Sequence, residues 1–289
     1  MLDIIKATVG NFVKDEAHRM AAALSYFTVI SLPSLLILVI LLGGVVWDGH
    51  EIQGRLVDET RGILGPETAE QIRTIIVNAD RPGSGGPLAT VLSVALLLFG
   101  ATGAFAQLQT ALNKAWGVEK TSDRSALGTL LMKRVLSFGM ILVVVLLLLA
   151  SLALTTLLSA AGQRMGELLP ETLGSAAVWG MDLGLSVLVV TLLFMAMYRI
   201  LPDAEIAWKD VWRGALVTAG LFVVGKALLG FYMGRSEPGS AFGAAGSLAV
   251  ILIWIYYSAN IFFLGAEFTQ AYAERQGRGI RTTDETSGG

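Results

Sequence analysis

Tyr256, Asn260 and Glu267 stand four and seven residues apart inside an apolar stretch of the chain. At about 100° per residue they fall within about 40° of one another, so a helix presents them as one polar stripe. Thr102, Gln109 and Asn113 repeat that phase in a second apolar stretch, and Asp182 and Lys226 are lone charges in two more. Polar groups are costly in hydrocarbon, so those retained there either bind something or hold helices together. Hydroxyl, amide, carboxyl and ammonium groups so placed suit a route for a polar head group or an ion. All eight residues are candidates for a substrate path, with Glu267 and Asp182 as titrating groups. The competing reading is interhelical bonding, with Lys226 snorkelling to the nearer surface.

The elements that position these residues are long runs with almost no charge. Ala21 to Trp47, Pro82 to Asn113, Val135 to Gln163 and Pro238 to Ala266 contain no Asp, Glu, Lys, Arg or His. Thr172 to Tyr198 and Gly214 to Met233 contain one charge each. A bilayer core needs about 20 mostly apolar residues in a helix. The expected fold is therefore all-α: a polytopic bundle of six transmembrane helices, with spans at about 21–47, 87–111, 135–159, 178–199, 211–233 and 245–270. They form a single membrane domain over 1–274, followed by a flexible cytoplasmic tail over 275–289.

Residues 2–20 alternate apolar and charged positions, as in an amphipathic helix lying in the inner interface. Between spans 1 and 2, Ile52, Leu56, Ile63, Ile72 and Ile76 recur at helical spacing in an acidic background. Gly65 followed by Pro66 and Glu67 stops one short helix and starts another. The expectation is a helical hairpin capping the outer face. Pro33 lies inside the first span, where neighbouring groups or a local bend must offset its missing donor. Gly180 and Gly184, Gly230 and Gly234, and Gly239 and Gly243 are spaced for close helix approach. Packing within the chain is the expectation, and a homo-oligomer through the same faces stays open.

Most Lys and Arg fall at the ends and connections that share one side, including Lys6, Lys14, Lys114, Lys133, Arg199, Lys209 and Arg275. Short loops rich in basic residues stay inside, so both termini are expected in the cytoplasm. The first apolar run is too long for a cleaved signal peptide. The chain has no cysteine, no Walker A loop, no dinucleotide fingerprint and no metal-ligand spacing, so no cofactor or metal is expected. The two histidines, His18 and His50, fall on opposite faces of the expected topology. No nucleophile, base and orienting group assemble, so an enzyme is not expected. The basic 114–134 segment reads as an inside loop rather than a nucleic-acid patch.

The stretches AAALSYFTVISLPSLL at 21–36, FAQLQTALNKAWGVE at 105–119, YRILPDAEIAWKDVWRGALV at 198–217 and GAAGSLAVILIWIYYSANIFFLGAEFTQAYAE at 243–274 resemble the YihY/BrkB family of bacterial inner-membrane proteins. That family is also labelled virulence factor BrkB and was formerly called ribonuclease BN. Its pattern is met by Ser31, Leu32 and Pro33, by Leu108, Gln109, Leu112 and Asn113, and by Trp254, Tyr256, Gly265, Ala266 and Glu267. The resemblance touches five of the six spans and leaves out the first outer loop and the tail after Gly277. It implies a six-span protein of the bacterial plasma (inner) membrane, with roles in export of lipid or other envelope components. With membrane lipids as partners, transport or flipping of a lipidic or amphipathic substrate is the leading expectation. A non-transporting envelope scaffold is the alternative.

Overall fold

Charge-free runs punctuated by glycine, proline and short charged turns give rise to helices. The computed structural model describes residues 2–43, 49–64, 66–79, 99, 103–118, 139, 171–236, 246–278 and 281–282. In chain order these hold α1 (Leu2–Lys14), α2 (Ala17–Gly43), α3 (Gly49–Leu64), α4 (Pro66–Ala79) and α5 (103–115). Next come α6 (Glu171–Ile200), α7 (Trp208–Ser236) and α8 (Gly246–Arg275). A two-residue antiparallel bridge joins β1 (Ala204–Glu205) to β2 (Arg281–Thr282). The described residues are thus almost wholly α-helical. The expected span at 135–159 lies outside them apart from Gly139, and that at 87–111 is described only at Phe99 and from Gly103 on.

Trp208–Tyr232 of α7 and Leu248–Arg275 of α8 are long and apolar enough to cross a membrane. Ser186–Ile200 of α6 is a shorter apolar helix. Along α7, Val217, Leu221, Val224, Leu228 and Phe231 form one outward face, with Val224 60% exposed. A patch so apolar belongs against lipid or another apolar surface rather than water. The opposite face of α7 buries Val211, Ala215, Thr218 and Ala219.

Helix ends follow local rules. At the end of α5, Gly117 takes φ +66° while its N–H and that of Val118 bond Lys114 O and Asn113 O. At the end of α8, Gly277 takes φ +70°, and the N–H groups of Gly277 and Arg278 bond Glu274 O and Ala273 O. Both are Schellman stops, which need a residue that tolerates the left-handed region. Between α1 and α2 that conformation falls on Glu16, whose carboxylate bonds Arg19 at 2.7 Å. Lys114 Nζ donates to Asp15 O at 2.7 Å and ties this turn to α5.

α8 is the centre of the packing: α1, α2 and α7 lie against it, and α6 lies against α7. The α7–α8 crossing is reciprocal. Gly214 faces Thr269, Gly265 faces Thr218, and each threonine hydroxyl donates to the carbonyl of the glycine four residues earlier in its own helix, at 2.7 Å. Glycine permits the close approach and the back-bonded hydroxyl fills it without an unpaired donor. By contrast, Gly180, Gly184 and Gly230 have no described atom within 4 Å of the place a Cβ would take. Close approach at the α7–α8 crossing thus comes from glycine facing threonine, and Gly180, Gly184 and Gly230 have no such facing residue among the described residues. Gly239 and Gly243 lie outside them.

Two apolar clusters stack along the bundle. The larger gathers the first turns of α2 with α5, the end of α6, the first half of α7 and the second half of α8, around Leu112, Tyr198, Phe262 and Phe263. The smaller joins Val57, Ala69, Ile72 and Ile76 of the α3–α4 hairpin to Ile251, lined by Val29, Leu32, Leu36, Ile40 and Ile255. The hairpin expected from Pro66 is present. It packs against the flanks of α2 and α8 instead of only covering the bundle end, because its isoleucines share one face and find their apolar partners there. α2 continues as helix through Pro33.

Candidate functional site

The last turn of α5 and the 201–206 turn build a polar clasp. Leu201 N–H still bonds Met197 O, and Pro202 then stops α6 and turns Asp203 toward α5. Arg199 steadies that turn, donating to Ile206 O at 2.8 Å with its guanidinium 5.5 Å from the Trp208 ring centre. Asn113 Nδ2 donates to Asp203 Oδ2 at 2.9 Å, and Asp203 N–H donates to Asn113 Oδ1 at 2.9 Å. Gln109 Nε2 donates to the other carboxylate oxygen at 3.1 Å. Both amides are buried, so leaving either unpaired would cost about 1–3 kcal/mol.

Glu267 lies on α8 beside the larger cluster and is 1% exposed. The carbonyl of its neighbour Ala266 accepts Trp116 Nε1 at 3.1 Å, which draws the end of α5 onto this turn. Among the described residues, Glu267 Oε2 has no hydrogen-bond partner. Asp15, Glu274, Lys114 and Lys14 are within electrostatic reach. One turn further on, Gln270 Oε1 accepts Asn11 Nδ2 at 3.3 Å, so α1 walls this region. A buried carboxyl oxygen without a partner can accept from a hydroxyl or ammonium group, or hold a proton.

Asp210 and Arg278 close the same end. The Asp210 side chain is 1% exposed and takes both Arg278 donors, Nε at 3.1 Å and Nη2 at 2.8 Å. Past Gly277, Arg281 and Thr282 pair with Glu205 and Ala204. The tail expected to be flexible from 275 is instead anchored at 278 and 281–282, because a buried carboxylate holds its guanidinium. Residues 283–289 lie outside the described residues.

Of the remaining candidates, Tyr256 and Asn260 lie apart from these groups. Asn260 is half-buried and donates to Tyr256 O, one turn back in its own helix, at 2.7 Å. Tyr256 is an exposed ring. The stripe read from helical phase is thus buried at Glu267 and outward at Tyr256. Lys226 is half-buried on α7. The Asp182 side chain and Thr102 lie outside the described residues. Gln109 and Asn113 meet Asp203, a residue the sequence reading passed over, as it did Asp210, Arg278, Thr218 and Tyr198. The Tyr198 hydroxyl donates to Phe262 O at 2.6 Å and lies 3.1 Å from Thr218 Oγ1. A proline directly before Asp203 was the available signal for a turn, and nothing in the sequence pointed to its amide partners.

Among the described residues no three His, Cys, Asp or Glu side chains gather as metal ligands. The family model described as Virulence factor BrkB matches residues 8–287. A UPF0761 membrane protein of Psychrobacter sp. is 26% identical over 275 residues, covering 92% of this chain and 48% of its own. The putative ribonuclease-like protein YfkH of Bacillus subtilis is 24% identical over 284 residues, covering 95% of this chain and 97% of its own. A UPF0761 membrane protein of Alkalilimnicola ehrlichii is 28% identical over 266 residues, covering 91% and 56%. The chain spans about half the length of the UPF0761 relatives named here. No solved structure matches.

Proposed function

We propose, from the premise that this chain belongs to the Virulence factor BrkB family of membrane proteins, that it moves a lipidic or amphipathic envelope component across the bacterial inner membrane. The reading includes six spans, cytoplasmic termini and an α1 that lies at the inner interface. Glu267 is the observation that carries it: a buried carboxyl inside a helix able to span the bilayer, with one oxygen unpartnered among the described residues. An ionisable group kept at such cost marks a substrate or ion pathway by default.

In this reading, Glu267 accepts a hydroxyl or ammonium of the passing head group. Gln109 and Asn113, locked to Asp203, close the cytoplasmic end of the route, and releasing them frees two amides and a carboxylate to receive the same group. Lys226 and Asp182 belong to its outer half, and Tyr256 and Asn260 to the lipid-exposed edge. Thr102 continues the α5 stripe.

The test is reconstitution of the full chain into vesicles with a fluorescent phospholipid, reading the fraction that becomes accessible to an impermeant reductant. The expected result is translocation above protein-free vesicles, lowered about tenfold or more by Glu267→Gln, while Arg73→Gln, an exposed hairpin residue outside the route, stays near the wild-type rate. Equal rates for wild type and empty vesicles, or an unchanged Glu267→Gln rate, would overturn the proposal.

A further inference from the structure

Four side-chain ties bring α1, the start of α7 and the end of α8 to one level. Asp210 binds Arg278, Arg213 donates to the Tyr272 hydroxyl, Asn11 donates to Gln270, and Asp3 pairs with Arg275 at 3.6 Å. At this level α1 is divided into three sectors. Ile4, Thr8 and Asn11 turn toward α8, with Ile4 and Thr8 buried. Leu2, Ile5, Val9 and Val13 are all more than half exposed and, at about 100° per residue, share a sector about 80° wide. Lys6 and Lys14, both exposed, follow on the next side. The start of α7 adds Trp208 and Trp212, exposed rings alternating with the exposed Lys209 and Arg213.

We infer that this rim is a docking surface for a lipid leaflet rich in acidic phospholipid, with the α1 aliphatic sector inserted just below the head groups and Lys6, Lys14 and Lys209 on their phosphates. Three observations select that occupant. The aliphatic sector is narrow and bordered on one side by Lys6, with Lys14 beyond it, the arrangement of a helix lying in an interface. Indole rings beside cations at the same level suit the head-group zone. Further along the same helix, α7 carries the outward apolar face from Val217 to Phe231, which already requires an apolar environment. Each lysine near an anionic leaflet favours acidic over neutral lipid by about fivefold.

The chain has no native cysteine, so Val9→Cys carries a single environment-sensitive fluorophore in the otherwise intact protein. The labelled full chain is reconstituted in two parts phosphatidylcholine to one part phosphatidylglycerol. Quenching is compared between phosphatidylglycerol and phosphatidylcholine carrying a spin label near the top of the acyl chain, at equal mole fraction. Both should quench, phosphatidylglycerol severalfold more. Adding Lys6→Gln, Lys14→Gln and Lys209→Gln should bring the ratio close to one, whereas Arg55→Gln with Arg73→Gln on the hairpin should leave it unchanged. Quenching by aqueous iodide but by neither lipid would overturn the inference, and so would a ratio indifferent to the three lysines. Disulfide-linked dimers of unlabelled Val9→Cys would instead assign the surface to a second copy of the chain. The inference rests on the placement of α1 at the inner interface in the reading above; its readout needs no transported substrate, so its failure is distinguishable from failure of transport.

Discussion

Gly265→Ala puts the α7–α8 crossing under direct strain. A Cβ there would lie 2.5 Å from the Tyr198 hydroxyl oxygen and 2.8 Å from Thr218 Cβ, with Thr218 Oγ1 closer still. Tyr198 and Thr218 are both fully buried, and each hydroxyl is committed to a carbonyl, Phe262 O and Gly214 O. Neither side chain can turn away without breaking its bond. Overpacking of this kind costs about 1–3 kcal/mol, and the lost hydrogen bond adds about 1 kcal/mol. The expected loss is about 2–4 kcal/mol.

The same change at the exposed Gly180, with open space around it among the described residues, should be neutral or stabilise by up to about 1 kcal/mol, since alanine favours helix. The three atoms nearest a Cβ at Gly214 all belong to Thr269, so adding Thr269→Gly to Gly214→Ala should recover much of its loss, a coupling of about 1–3 kcal/mol. The assay is unfolding of the purified full chain in mild detergent by titrated dodecyl sulfate, followed by tryptophan fluorescence. A Gly265→Ala midpoint equal to wild type, or a Gly180→Ala variant more damaged than Gly265→Ala, would refute the reasoning.

Asn113→Asp sets a second carboxylate against Asp203 and removes the amide donor. Because Asp203 is exposed and partly screened, a loss of about 1–2 kcal/mol is expected in the same titration, and no loss would show that the clasp contributes nothing. Asp210→Asn should free the tail, since only a carboxylate accepts both Arg278 donors. Limited trypsin digestion should then cut at Arg278 and Arg281 well before the bundle, and protection equal to wild type would refute the anchoring.

Among the described residues, helices were legible where a full span carries at most one charge, as over Gly214 to Met233 with its lone Lys226, and the hairpin was legible at Pro66. Helical phase also identified Gln109, Asn113 and Glu267, because burial acts on a helix face and a face has a period. The partners were not legible. Asp203 is 90 residues from Asn113, and Asp210 is 68 from Arg278. Both acids stand in charged, turn-rich sequence, where a solvated carboxylate looks the same as a committed one. Tight packing was sought in glycine pairs, but the close contact depends on the residue across the interface. Only the fold reveals that Thr269 and Thr218 supply it.

α2 and α8 each belong to both apolar clusters, while every cross-element hydrogen bond described above lies at the end with the tail. Directional bonds resist sliding and tilt, so at that end α1, α5, α7 and α8 are pinned to one another. Mechanically that end is a riveted base: any rearrangement of the helices that keeps these bonds must pivot about it.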